Sequence, residues 1–301
     1  MAIKHIVICG GGPTGFLSYG ALKMLNEKGF WKKDDLLTMY GTSIGGIMSV
    51  ITVLGYNWEA IDDYLIKRPW MRVFDKVSND ILDLINNKGI DGVELAKIVL
   101  EPLLKARDLT IDTTLKQLYE AINIKIVLTA TNMNGDSNKL EGELLSYETY
   151  PDMKVYEAIA ATSALPMSFR PVIYKDKCFV DGGLLHNLPI QKCIDHENAD
   201  EDEILAIHNK WNTEYPKIDT TMGFLEYMKI FTRRSHNSLD SSSIQPTIKH
   251  YLKCDASSLY DYSVWLEIFN NEEMREELIK SGANSAQEWL KELEGEVGET
   301  E

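Results

Sequence analysis

The stretch LLTMYGTSIGGIMSVITVLG, residues 36–55, decides the fold of this chain. Its first five residues predict a short buried strand. The run that follows the glycines is apolar on nearly every side, which predicts a buried helix that ends at Gly55. A strand that leads through a glycine-rich turn into such a helix is typical of the α/β class.

The remaining elements show the same alternation. Strands are predicted at residues 4–9, 124–131 and 204–208, with a hairpin at 172–180, and helices at 154–161, over much of 57–122 and from about residue 217 onward. Strands separated by helices predict an α/β layer fold with a largely parallel sheet. We expect one α/β domain over residues 4–210 and a helical C-terminal extension, residues 211–301, packed on the same domain.

Composition restricts the class of partner. Apolar residues make up 44% of the 301 residues, which is ordinary for a globular protein. The net charge of −15 argues against a nucleic-acid partner, because phosphate binding needs a basic face. The four cysteines lack metal-ligand spacing, and no apolar run is typical of a signal peptide or a membrane span. These features predict a reduced, cytoplasmic chain.

The turn inside the opening stretch has the pattern G-x-S-x-G, from Gly41 to Gly45. In a nucleophile elbow the serine, here Ser43, has a strained backbone that holds its hydroxyl clear of the turn. Larger side chains at the two glycines would collide with the neighbouring strand and helix. The nearby helix N-terminus also favours developing negative charge. The alternative is an ordinary connection in which Ser43 caps the helix.

A second glycine-rich loop, GGGPTG at residues 10–15, follows the first strand. It contains G-x-G-x-x-G, so a nucleotide-binding Rossmann-type protein is one interpretation. The other is an oxyanion hole, in which the N–H groups of bare glycines point at a tetrahedral intermediate. A ribose-binding acid should end the second strand, whereas Asp34 and Asp35 precede that strand. The serine turn occupies the strand end instead, and this combination favours acyl transfer.

A third motif, Asp181-Gly182-Gly183, comes directly after the predicted strand that ends at Val180. An acid at a strand end, followed by two glycines, can be presented closely to a neighbouring group. Taken alone, Asp-Gly is more typical of a tight turn.

The motifs GGGPTG, GTSIGG and DGG, in this order, resemble those of the patatin-like phospholipases. The segment ATSALPMSFRPV at 161–172 also fits, as do Asn187 and Pro189, and the resemblance covers roughly residues 4–210. It implies a three-layer fold, with a central, mostly parallel sheet flanked by helices. It also implies a Ser–Asp dyad rather than a triad. The family usually has Arg or Lys where this chain has Thr14. Either the backbone amides suffice to stabilise the oxyanion, or the Thr14 hydroxyl donates a hydrogen bond to it, or the preferred substrate differs from that of the family.

The motifs together predict a serine lipid acyl hydrolase that cleaves fatty-acyl esters of phospholipids or related glycerolipids through an acyl-enzyme. Ser43 would be the nucleophile and Asp181 its general base. The other predicted site residues are the oxyanion-hole residues Gly10, Gly11, Gly12, Thr14 and Gly15, the elbow residues Gly41 and Gly45, and the loop residues Gly182 and Gly183. We expect no cofactor and no metal. The expected partners are a lipid substrate and, transiently, a membrane or micelle surface. A patatin-like protein with weak catalysis is a further alternative.

Two features of the sequence stay open. His186, five residues past Asp181, could act as a base, or it could be an exposed loop residue. Residues 67–76, KRPWMRVFDK, combine basic and aromatic side chains in an acidic chain. They could cap the site or enter a lipid interface, or they could form the start of a helix whose aromatics pack inward.

Overall fold

The computed structural model describes residues 2–77, 86–136, 139–211, 217–240, 246–259 and 262–298. Within these residues one mixed sheet contains eight strands, β1 (His5–Ile8), β2 (Thr38–Gly41), β3 (Lys125–Asn132), β4 (Glu141–Leu145), β5 (Val172–Tyr174), β6 (Lys177–Asp181), β7 (Ile204–Lys210) and β8 (His250–Asp255). The strand order is β5-β6-β3-β2-β1-β7-β8, with β4 also paired to β3. Neighbouring strands in the portion β3-β2-β1-β7-β8 are parallel. The remaining pairs, β4 with β3, β6 with β3 and β5 with β6, are antiparallel.

Helices cover the sheet on both faces. In chain order the described helices are α1 (Gly15–Glu27), α2 (Ile44–Val53), α3 (Trp58–Lys67), α4 (Trp70–Asp75), α5 (Gly92–Lys105), α6 (Leu115–Ile122), α7 (Val155–Thr162), α8 (Gly183–His186), α9 (Ile190–Glu197), α10 (Phe224–Asp240), α11 (Tyr262–Asn270) and α12 (Glu272–Gly298). None of these helices is long and apolar enough to cross a bilayer.

The side chains of β1 show the three layers most directly. Ile6 and Ile8 belong to one hydrophobic core, whereas Val7 belongs to a second core that includes residues of α9. Successive side chains of a strand point to opposite faces, so a strand buried on both sides has a continuous apolar run. The predicted α/β fold with a central, mostly parallel sheet is therefore confirmed.

One prediction about the C-terminal residues is wrong. Beyond residue 217 the chain is not helical throughout, because residues 250–255 form β8, which pairs in parallel with β7. Leu252 and Cys254 are buried while Lys253 is exposed, a strand alternation that spans too few residues to stand out among helical neighbours. The last third of the chain thus extends the central sheet.

The longest described helix, α12, packs along α1 at very close range. A Cβ added to Gly20 would collide with the carbonyl of Ile279, and one added to Gly282 would collide with the carbonyl of Leu17. The two backbones can approach this closely because glycine has no side chain at either crossing point. Since α1 directly follows the loop at residues 10–15, α12 supports that loop through α1.

Candidate active site

The turn after β2 has the strained geometry of a nucleophile elbow. Ser43 has φ +52° and ψ −122°, which a residue with a side chain seldom adopts. Its amide donates to the Thr162 hydroxyl at 2.9 Å, and its side chain makes no capping hydrogen bond to α2. A Cβ on Gly41 would lie 2.5 Å from a backbone nitrogen of α2, and one on Gly45 would collide with carbonyls of Ile8 and Cys9. The close packing explains both glycines.

The aspartate of the third motif is buried beside this turn. Asp181 is 4% exposed, and its carboxylate accepts hydrogen bonds from the Gly183 amide at 2.7 Å and from the Ser43 side chain. Burial raises the pKa of Asp181 to about 6, although both hydrogen bonds oppose this shift by favouring the charged form. A carboxylate with this pKa is still mostly ionised at neutral pH but holds a proton better than a free aspartate.

Strand β3 sets the relative position of the two residues. It pairs with β2 on one side, where Leu128 is opposite Gly41, and with β6 on the other, where Ala130 is opposite Asp181. Ser43 follows Gly41 by two residues, just as Ala130 follows Leu128. The serine turn and Asp181 therefore lie at the same level of the sheet, one on each side of β3.

Threonines that the sequence analysis missed hold the serine turn in place. Thr42 Oγ1 lies 2.7 Å from Thr129 Oγ1, and it donates to the His186 carbonyl at 2.8 Å. Thr162 accepts from the Ser43 amide, and its own carbonyl accepts from the Gly182 amide at 3.3 Å. Because these threonines lie far apart in the sequence, only the folded topology brings them together.

The glycine loop after β1 faces the serine turn. A Cβ on Gly10 would lie 3.1 Å from that of Ser43, and the Gly10 amide is already bonded to the Asn187 side chain at 3.1 Å. Gly11 has φ +150° and Gly12 has φ +59°, in the region that favours glycine. Within the part of the chain that the structure describes, the amides of Gly11 and Gly12 have no hydrogen-bond acceptor. They are therefore open donors.

The family model described as patatin-like phospholipase matches residues 6–194. The chain belongs to this family. It is 26% identical over 216 residues to the probable lipid hydrolase 463L of Invertebrate iridescent virus 6, covering 70% of this chain and 71% of that one. It is also 26% identical over 197 residues to the uncharacterized protein YqhO of Bacillus subtilis, covering 61% of this chain and 64% of that one.

Among solved structures, VipD from Legionella pneumophila matches the patatin-like chain with a TM-score of 0.54 and 17% sequence identity. The match covers 97% of this chain and 67% of VipD, and it shows the shared fold. Family membership and the viral relative support a lipid hydrolase function.

Thr14 occupies the position where patatin-like proteins usually have Arg or Lys. Its side chain is fully buried, and its hydroxyl accepts a hydrogen bond from Asn209 Nδ2 at 2.9 Å. The same nitrogen donates to the Ser18 hydroxyl at 2.8 Å. Thr14 is thus buried and hydrogen-bonded to Asn209 of β7, and this contact holds the glycine loop against that strand. The next residue, Gly15, begins α1 and packs against Ile44 of the elbow.

Two tryptophans pack against the glycine loop of this patatin-like site. A Cβ on Gly11 would lie 2.6 Å from the indole ring of Trp211, and one on Gly12 would lie 2.6 Å from that of Trp265. The Trp265 indole is itself fixed, because its Nε1 donates to the Leu259 carbonyl at 2.8 Å. Both residues lie outside the family match at 6–194, so no motif pointed to them.

The open features of the sequence also have definite positions. The His186 ring packs against Gly142 of β4, and burial lowers its pKa, while its carbonyl rather than its ring bonds to the elbow. In the segment 67–76, Trp70 is only 7% exposed and donates to the Leu65 carbonyl at 2.8 Å. Trp70 thus packs inward, as the inward-packing interpretation expects, while Met71 and Phe74 are half-buried. Among the described residues, no group of three His, Cys, Asp or Glu side chains could hold a metal ion.

Proposed function

We propose that this protein is a serine lipid acyl hydrolase that cleaves fatty-acyl esters of phospholipids or related glycerolipids. Ser43 is the nucleophile and Asp181 is its general base. The observation that carries this proposal is the buried Asp181 carboxylate, which accepts a hydrogen bond from a serine on a strained turn at a helix N-terminus. Nucleophile and base are thus already in contact, as serine catalysis requires.

In the first half of the reaction, Ser43 Oγ attacks the ester carbonyl carbon while its proton passes to Asp181. The carbonyl oxygen becomes an oxyanion, and the open amides of Gly11 and Gly12 donate to it. When the tetrahedral intermediate collapses, the C–O bond to the alcohol breaks and the alcohol leaves with the proton from Asp181. Ser43 then carries the acyl group as an ester.

In the second half, water attacks the acyl-enzyme and its proton passes to Asp181. A second tetrahedral intermediate forms on the same amides, and its collapse releases the fatty acid. Ser43 recovers its proton from Asp181. Each half-reaction uses one proton transfer in each direction, so the aspartate ends as it began.

The environment of Asp181 explains how a carboxylate can replace histidine as the base. A pKa of about 6 lies near that of a free imidazole, so Asp181 is a much stronger base than a solvated aspartate. At pH 7 the ionised form still exceeds the protonated form by about ten to one. Burial thus provides basicity without removing the charge that accepts the proton.

The test is a panel of phospholipids, lysophospholipids and neutral glycerides, with the released fatty acids measured by mass spectrometry. We expect Ser43→Ala and Asp181→Asn to lower hydrolysis by roughly a thousandfold or more. Matched controls are Ser285→Ala on α12 and Asp176→Asn, an exposed aspartate in the turn that precedes β6. A fluorophosphonate should label the parent protein at Ser43. Hydrolysis that survives in the Ser43 variant would reject the proposal, and so would an intact, folded parent that hydrolyses no member of the panel.

A further inference from the structure

Helix α10 presents an aromatic stripe to solvent. Phe224 is 73% exposed, Tyr227 is 39% exposed and Phe231 is 52% exposed. Their spacing of three and four residues places them on one face of the helix. The rings of Tyr227 and Phe231 stack with their centroids 6.3 Å apart, so the stripe is a continuous apolar surface. The same helix buries Ile230 on another side, which attaches it to the body of the protein.

The aromatic stripe lies next to the elements that carry Asp181. Helix α10 packs against α8, the helix that begins two residues after Asp181. Thr232 of α10 also donates to the sulfur of Met167 at 3.4 Å, and Met167 is itself 44% exposed. Met167 lies in the segment whose Ala164 carbonyl accepts from the Asp181 amide at 3.0 Å. A partner surface that binds the aromatic stripe would therefore lie beside the site that contains Ser43 and Asp181.

The charge of α10 fits a lipid surface better than the rest of the chain does. The helix contains three basic and two acidic residues, whereas the whole chain has 31 basic and 46 acidic ones. An excess of basic residues on an amphipathic helix favours contact with phosphate-bearing head groups. Elsewhere on this acidic chain, long-range repulsion would oppose an anionic surface.

The size of the aromatic stripe argues against a second copy of the chain as its occupant. The exposed parts of the three aromatic residues and Met167 amount to roughly 400 Å², about half of what each partner buries in a standard protein interface. An apolar area of this size is instead typical of a functional contact patch on a monomer. The basic–aromatic segment at 67–76 offers no substitute, since Trp70 is buried.

From these observations we propose that the aromatic stripe docks the protein on the surface of a lipid bilayer or micelle. The inference rests on the proposed function, because it assigns to that reaction the surface through which aggregated substrate is reached. The aromatic rings enter the boundary between the lipid head groups and the acyl chains.

The test separates docking from hydrolysis. For docking, Ser43→Ala and a variant that also carries Phe224→Ser, Tyr227→Ser and Phe231→Ser are sedimented with vesicles of phosphatidylcholine and a minor fraction of phosphatidylglycerol. We expect the triple substitution to lower vesicle partitioning at least about tenfold. The matched control is Leu37→Ser, which removes a 54% exposed leucine next to the amino end of β2. It should sediment as its parent does.

For hydrolysis, the same triple substitution is placed in the protein with Ser43 intact. Cleavage of soluble p-nitrophenyl butyrate should stay within about twofold, while cleavage of vesicle lipid should fall at least about tenfold. Equal vesicle sedimentation of the triple variant and its parent would overturn docking. A change of oligomeric state with unchanged sedimentation would also overturn it, by assigning the stripe to a contact between copies. If sedimentation depends on the stripe but no variant hydrolyses any ester, docking stands and the proposed function fails.

Discussion

Replacing Asp181 by asparagine should stabilise the protein at neutral pH while it abolishes hydrolysis. The asparagine side chain has nearly the same shape, and its oxygen can still accept from the Gly183 amide. The substitution removes the charge that burial disfavours. Since Asp181 is only 4% exposed, solvent screens that charge very little.

The size of this stabilisation follows from the pKa of Asp181, which rises from 3.8 to about 6 on folding. A shift of about two units corresponds to roughly 3 kcal/mol between the two protonation states. The sign is set by linkage: between these pKa values the folded state holds a proton that the unfolded state releases. Wild-type stability therefore falls as the pH rises from about 4 to about 6, and the full penalty persists above that range. Asparagine carries no such penalty.

Urea unfolding of both proteins between pH 4 and pH 8 measures this effect. We expect the asparagine variant to gain stability relative to the wild type as the pH rises, reaching up to about 3 kcal/mol at pH 8. Taking the difference between the two proteins cancels every other titrating group. A difference that stays constant across the range would refute the assignment of a raised pKa to Asp181. A variant that becomes less stable than the wild type at pH 8 would refute the claim that burial of the charge dominates.

Three further predictions concern the same site. Below pH 6 we expect kcat/KM for a soluble ester to fall about tenfold per unit as Asp181 is protonated, and a flat profile would exclude it as the base. Gly45→Ala should cost at least about 1–3 kcal/mol in urea unfolding and abolish fluorophosphonate labelling, whereas Gly223→Ala, in open space, should change neither. Trp265→Ala should lower kcat by about tenfold or more with little change in KM, because the glycine loop loses its support, and Trp289→Ala on α12 is the matched control.

Local chemistry made the central part of the site predictable. Gly41 and Gly45 are required by backbone that lies within a few residues or on the adjacent strand, so the pattern alone indicates a strained serine between them. Asp181 could be placed only once three motifs were read together, since a lone Asp-Gly is typical of a turn. The structure brings Ser43 and Asp181 into contact, and their catalytic roles remain a proposal.

Other parts of the site depend on contacts that no local pattern encodes. Thr42 meets Thr129 because β3 lies next to β2, and Thr162 reaches the Ser43 amide from the end of α7, and the sequence states neither neighbourhood. Strand β8 was missed for a different reason: a six-residue alternation has too little length to compete with the helical segments around it.

The C-terminal third, which carries no recognised motif, reaches the glycine loop by two separate routes. One is indirect: α12 clamps α1 through the close contacts at Gly20 and Gly282, and α1 begins at the residue that ends the loop. The other is direct, through the indoles of Trp211 on Gly11 and Trp265 on Gly12. A donor of the proposed oxyanion hole must be held within a fraction of an ångström, and a loop of glycines has little stiffness of its own. The rigidity that the loop needs is therefore supplied by residues far beyond the family match, which ends at residue 194.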